Sequence, residues 1–332
     1  MKRIAIASVV FGCLLVSSAA RVSAVSCSAT GYAGLTAAMV NPGDVLGGSV
    51  NATGCDMGIY YSGTDAKVRN AVVFGALHYG IMVHGDTTTT SVDIIDSDIN
   101  TIGDSPLNGN QRGVAIYYRA FMSTGSATGR VSGNRISLYQ KGGIVVNGPG
   151  SNVQVQNNQV IGAGPVAYIA QNGIQFGYGS SGSAMKNTVT GHSYTGTSTV
   201  SGGIIVVGGP GYGICPDGNA CAYTAGIQIM QNTVTGNDIG IFLTNLRGDG
   251  GAPDDATNIK AVNNTISNPA LTNNYGGFGY QAGVSDVGNN DKIINNKISG
   301  PGYDPAAYPS AYVVAIDADV SFTNRPKVHA NK

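Results

Sequence analysis

Six side chains have the chemistry for abstracting a proton beside a sugar carboxylate. His78, Arg112 and Lys141 lie just before recurring pairs of glycine and an apolar residue, and His84, Tyr117 and Arg119 lie just after them. β-Elimination on a uronic acid needs a cation to neutralise the carboxylate and a base for the neighbouring proton. These residue types can supply both, and each also has a plainer reading as an edge cation or a turn residue. Gln111, Asn147, Gln171 and Gln175 offer amides for sugar hydroxyls, or for an amide ladder, and Asp238 offers a carboxylate. The chain has no Glu. Glycosidic hydrolysis needs two carboxyl groups about 5 to 9.5 Å apart, and only Asp238 falls in these rows, so hydrolysis there is poorly supported. Asp249, Asp254 and Asp255 lie in a glycine-rich stretch with oxygen ligands suited to calcium. Their spacing is not that of an EF-hand, and a solvated loop is the ordinary alternative.

The elements that must position these residues form a repeat. The pairs Gly80-Ile81, Gly113-Val114, Gly143-Ile144, Gly173-Ile174, Gly203-Ile204, Gly240-Ile241 and Gly283-Val284 are separated by 33, 30, 30, 30, 37 and 43 residues. One of Ser97, Asn134, Asn158, Asn187, Asn232, Asn264 and Asn296 follows each pair. Between landmarks run short apolar alternations of strand period, bounded by turn residues. The segment from Lys141 to Phe176 shows one circuit, with Gly143-Ile144-Val145-Val146, then Val153-Gln154-Val155, then Val160-Ile161, then a return to Gly173. The Asn row reads as a structural ladder, each residue taking a left-handed bend and bonding its amide to the coil above. Strict alternation turns Lys141, Gly143, Val145 and Asn147 outward and makes the glycines a side-chain-free floor.

Composition agrees with a β-rich, turn-rich chain: Gly is 50 of 332 residues, Trp is absent and charged residues are 11%. Zero net charge and a pI near 6.9 give no electrostatic footprint for nucleic acid or an anionic membrane surface. Residues 1–24 read as a signal peptide, with Lys2-Arg3, an apolar run and Val22-Ser23-Ala24, and no later stretch is long and apolar enough to span a bilayer. A secreted or periplasmic location is expected. The four cysteines beyond the leader imply two disulfides, and proximity favours Cys27 with Cys55 and Cys215 with Cys221 among three connectivities.

The Gly-Ile strand openings, Asn-x-Ile/Val corners and period near 30 residues resemble the right-handed parallel β-helix proteins of the pectin-lyase-like superfamily, over about residues 45–320. The resemblance implies an all-β fold, a single right-handed parallel β-helix, and a substrate groove along its first sheet. The paired-Asp and Gly-His-Gly set of the polygalacturonases and the Asp-Pro-His-Asp run of the alginate epimerases are absent. The expected organisation is a signal peptide (1–24), an N-terminal cap and first coil (25–70), a β-helix (71–323) and a C-terminal tail (324–332), about eight coils in all. Within the cap, residues 33–40 are expected to form a short helix stopped by Asn41-Pro42-Gly43. The leading functional expectation is an exported polysaccharide lyase acting on an acidic polysaccharide, with no cofactor other than calcium. The alternatives are a non-catalytic polysaccharide-binding or surface-adhesion module, and a periplasmic structural or maturation accessory protein.

Overall fold

Each circuit of the chain makes three short strands because three apolar alternations are separated by turns. One coil comprises Gly142–Asn147, Ser151–Gln156 and Gln159–Val166, and the next opens with Asn172–Gly177. Strands pair in parallel with their counterparts one coil away, as in Ile144 with Ile174, Val155 with Ala184 and Val160 with Val189. This computed structural model describes residues 26–318 and 323–332; the expected leader lies outside them. The described strands form three sheets of eleven, ten and nine strands, all parallel except Ser28–Ala29, which pairs antiparallel with Thr36–Val40. The chain is a right-handed parallel β-helix.

The stack has more turns than the eight or so counted from the landmarks. Gly58-Ile59 opens an earlier coil in register with Gly80-Ile81, but with 22 residues between them the loop-free coil escapes a search at period 30. The expected helix over 33–40 is instead the strand Thr36–Val40, paired with Met57–Ser62. A neighbouring sheet edge satisfies the backbone of so short a segment better than one helical turn, which is costly to nucleate. The strand Lys327–His329 carries the second sheet into the expected tail. Both expected disulfides are formed.

Ile and Val from the three sheets meet in one continuous core. Each fully buried side chain contributes about 1.5–3 kcal/mol relative to exposure. The Asn row is the ladder expected. Asn134, Asn158, Asn187, Asn232 and Asn264 each donate Nδ2 to the Oδ1 of the next member at 2.9–3.0 Å, and Asn296 passes the chain to Asn331. Ser97 ends the row, its backbone N–H donating to Asn134 Oδ1. The left-handed bend falls one residue earlier than expected, on Asp96, Asn157, Lys186, Gln231, Asn263 and Asn295. The ladder amides are thereby free to point inward.

Two corrections concern how the first sheet presents side chains. The glycine row does not face solvent: a Cβ on Gly143 would lie 2.5 Å from Val160 Cγ1 and 2.6 Å from the Gly173 carbonyl oxygen. These glycines let the first sheet close onto the third at a corner, and outward presentation starts one residue earlier, at Tyr79, Val114 and Gly142. The coil after Gly80 is also shifted by two residues, because Ile81 pairs with Ile116. Ala115 rather than Gly113 therefore occupies the landmark position, and Arg119, not Tyr117, lies beside His84.

Candidate functional site

The outer face of the first sheet has two differently built ends. At the N-terminal end, the adjacent strands Met57–Ser62, Tyr79–His84 and Val114–Arg119 bring Tyr60, His84 and Arg119 together. The Tyr60 hydroxyl lies 2.7 Å from His84 Nδ1. His84 Nε2 is 3.1 Å from Asp86 Oδ2, out of line for a good hydrogen bond. Arg119 binds the same carboxylate through Nε at 3.0 Å and Nη2 at 2.9 Å, and the Phe121 backbone N–H donates to Asp86 Oδ1 at 2.6 Å.

Burial pushes His84 below the usual imidazole range, against the pull of Asp86. Burial alone would raise Asp86, but the Phe121 N–H, Arg119 and His84 outweigh it and hold the carboxyl below its ordinary value. The network is therefore a neutral imidazole between a phenol and an ionised carboxylate, with a guanidinium alongside. It is closed over: Tyr32 meets His84 edge-on at 4.8 Å between ring centroids, and the Arg119 guanidinium lies over Tyr32 and Phe121. Tyr32 and Leu35 pack on a second apolar cluster holding Tyr60, Met82, Tyr117 and Val145. Only 14% of the His84 side chain and 13% of the Arg119 side chain remain accessible.

The other expected catalytic residues stand apart from this network. His78 lies just before the strand Tyr79–His84 and His84 ends it, on the order of 20 Å apart. His78 is 3.8 Å from Asp56, Arg112 is held by Asp104, and Tyr117 stacks on Tyr79 at 5.2 Å between ring centroids. Lys141 donates Nζ to the Ala170 carbonyl at 2.9 Å, and burial lowers its pKa.

The expected sugar-contacting residues are also placed differently. Gln171 and Asp238 are fully buried at the corner between the third and first sheets. Gln171 Nε2 donates to the carbonyls of Tyr139 and Gln140, and its Oε1 accepts from the Ala163 N–H. Asp238 accepts from Ser193, Tyr194, Ser201 and Asn273, and burial still pushes its carboxyl up to about 6. Backbone groups freed at the corner need these partners, so both are structural. Gln175 donates to Asn147 Oδ1 at 3.0 Å on the outer face, and Gln111 is exposed in a loop.

In the stretch read for calcium, Asp249 and Asp254 are taken by Arg247 at 2.7 and 2.9 Å, while Asp255 is exposed. Among the described residues no group of three or more His, Cys, Asp or Glu is arranged to hold a metal ion.

The C-terminal end of the same face is open. The strands Ile239–Asn245, Tyr280–Val287 and Tyr312–Asp317 floor a groove of about 730 Å³. Phe242, Ser285 and Asp317 are successive outward residues across its floor. Tyr275 and Phe278, from the insertion before Tyr280, form a wall with Tyr312, and these three are 41%, 53% and 47% exposed. Tyr280 links the rings, with centroids 6.4 Å from Tyr275 and 5.5 Å from Tyr312. Its hydroxyl bonds Asp317 Oδ2 at 2.7 Å and Ser285 Oγ at 2.9 Å. Asp286, next to Ser285, occupies the inward row with Leu243 and is buried against Asp291.

Sequence reasoning missed Tyr60 because the short coil opened by Gly58 escaped the repeat count, and Asp86 because it lies in the bend beyond the strand Tyr79–His84. It missed the groove because its residues come from three coils and an insertion. The available signal was the clustering of Tyr275, Phe278, Tyr280 and Tyr312 around the longest landmark interval.

No family model matches the chain, and no curated protein matches it. Among solved structures, the crystal structure of Dettilon tailspike protein (gp208) is similar over 89% of this chain and 58% of that one, with 16% identity and a TM-score of 0.49. The present chain thus spans just over half the length of that protein.

Proposed function

We propose that the protein is an exported carbohydrate-binding module whose binding surface is the C-terminal groove of the first sheet. The observation carrying this reading is the exposed aromatic wall of Tyr275, Phe278 and Tyr312 above hydrogen-bonding groups of Ser285, Tyr280 and Asp317. Sugar rings have apolar C–H faces and polar edges. Aromatic faces cover the former, while a few placed polar groups orient the latter. Monomeric proteins seldom leave such rings clustered at the surface without use. The groove supports binding rather than hydrolysis. Asp317 is its one outward carboxylate among the described residues, and Asp286 turns through the sheet into the interior, so the two-carboxylate requirement is unmet. Export is supported by the two disulfides and by the leader-like residues 1–24.

A panel of soluble polysaccharides run by affinity electrophoresis tests this. At least one polymer should retard the protein, and Phe278→Ala with Tyr312→Ala should release it. Binding untouched by both changes removes the groove from the account.

A second reading, a β-eliminating lyase on an acidic polysaccharide, is favoured by the Tyr60–His84–Asp86–Arg119 network. There the neutral imidazole or the phenol would take the proton, and Arg119 would face the substrate carboxylate. This requires Tyr32 to move aside. The test is ultraviolet absorbance of unsaturated product from uronate polymers, with His84→Ala as control.

A further inference from the structure

We infer that the C-terminal groove selects glycans without anionic groups, neutral polymers or those bearing amines, and that Asp317 sets this selection. The inference rests on the glycan-binding reading and deepens it. Among the described residues no Lys, Arg or His lines the groove. Asp317 projects from the last floor strand, next to Ser285 in register. Its two oxygens are held in place by Tyr280 at 2.7 Å and Tyr312 at 3.3 Å. Two phenol hydroxyls fix the direction of this carboxylate beside the aromatic rings, where it meets any sugar seated in the groove.

A sugar lying on Tyr312 or Phe278 would bring its ring substituents close to Asp317. A hydroxyl there donates to the carboxylate, and an ammonium does so more strongly. A uronate or sulfate meets a like charge with no cation to offset it. For two unit charges about 5 Å apart near a protein surface, that repulsion corresponds to affinity weaker by on the order of 100-fold. Specificity here comes from the repulsive element, and the aromatic rings supply affinity to every sugar alike.

The contrast with the other end of the face strengthens the assignment. There Arg119 carries a charge that could bind an anion, but it is paired with Asp86 and covered by Tyr32. The accessible end of the face is therefore its anion-rejecting end.

The experiment measures binding of the intact protein and of D317N to four probes at low salt: hydroxyethyl cellulose, chitosan oligosaccharide, polygalacturonate and alginate. Circular dichroism confirms that the variant is folded, as expected for a partly exposed side chain replaced by its isostere. The expected result is binding of the cellulose derivative, chitosan or both, with both uronates about 100-fold weaker. In D317N the uronates should gain at least tenfold while chitosan loses. Added salt should narrow the gap in the wild type. Uronate binding equal to or tighter than that of the other probes overturns the selection while leaving the groove reading intact, provided Phe278→Ala still weakens it by about 30-fold. If none of the probes binds, the groove reading fails and the selection fails with it. Unchanged discrimination in D317N overturns the role of Asp317.

Discussion

The two ends of the first sheet use the same backbone to opposite effect. At the N-terminal end, polar groups with catalytic chemistry are brought within hydrogen-bond reach and then covered by Tyr32, Leu35 and Phe121. At the C-terminal end, aromatic rings that a stable monomer would bury are left in the open beside a carboxylate. Presence of the right residue types at one end and their accessibility at the other teach different things. A convergent network can be a lock for the fold, whereas a cluster of exposed rings is open to a ligand.

That contrast breaks most sharply at Asp86. If the N-terminal network is a lock, Asp86→Ala strands Arg119, His84 and the Phe121 N–H, and stability should fall by about 3–5 kcal/mol in chemical denaturation. A loss below 1 kcal/mol would point instead to a site poised for ligand. The matching change at the other end, Phe278→Ala, should weaken glycan binding by about 30-fold, near 2 kcal/mol. It should shift stability by no more than about 0.5 kcal/mol, since it truncates an exposed ring.

The ends should also respond to pH with opposite sign. At the N-terminal end His84 and Asp86 both titrate lower in the folded protein. The unfolded chain therefore binds more protons, and the stability they contribute is lost as pH falls from about 6.5 through the acidic range.

Beneath the groove, Asp286 and Asp291 are buried with their carboxyls in contact, and burial raises both, with the Asp291 charge adding to Asp286. A Cβ on Gly288 would lie 2.0 Å from Asp291 Oδ2 and 2.9 Å from Asp286 Oδ1, so only glycine leaves room for the pair. Here the folded state binds more protons. The associated stability is complete below about pH 4 and is lost as pH rises through neutrality. In a solenoid each coil depends chiefly on its neighbours. Hydrogen exchange should accordingly show the N-terminal coils loosening at pH 5 and the C-terminal coils at pH 8. Asp286→Asn should flatten the C-terminal response and leave the other unchanged. Uniform exchange behaviour along the stack at both pH values would remove this distinction.

Much of the fold was legible in the sequence because stacking repeats a local requirement. Gly143 and its equivalents recur wherever the first sheet turns in over a third-sheet Val or Ile, and Asn158 recurs wherever a coil must bond the one above. The misreadings came where a coil departs from the average length: Gly58 was too close, and Gly113 stands two residues from the position its coil uses. The candidate sites were less legible because function here depends on covering. Lys141 and Gln171 carry the right groups for sugar, but Ala170, Tyr139 and Gln140 absorb them. His84 and Arg119 were identified as chemistry, yet Tyr32, lying about fifty residues earlier than His84, closes them off. Conversely, the insertion holding Tyr275 and Phe278 interrupted the repeat, and the interruption carries the groove.

A structure determined with a bound oligosaccharide from the tightest-binding polymer tests the central claim most directly. The account predicts sugar rings against Tyr275, Phe278 and Tyr312, with a hydroxyl or ammonium on Asp317 and Tyr32 still seated on His84. Sugar lying over His84 and Arg119, with Tyr32 displaced and the groove empty, would contradict it.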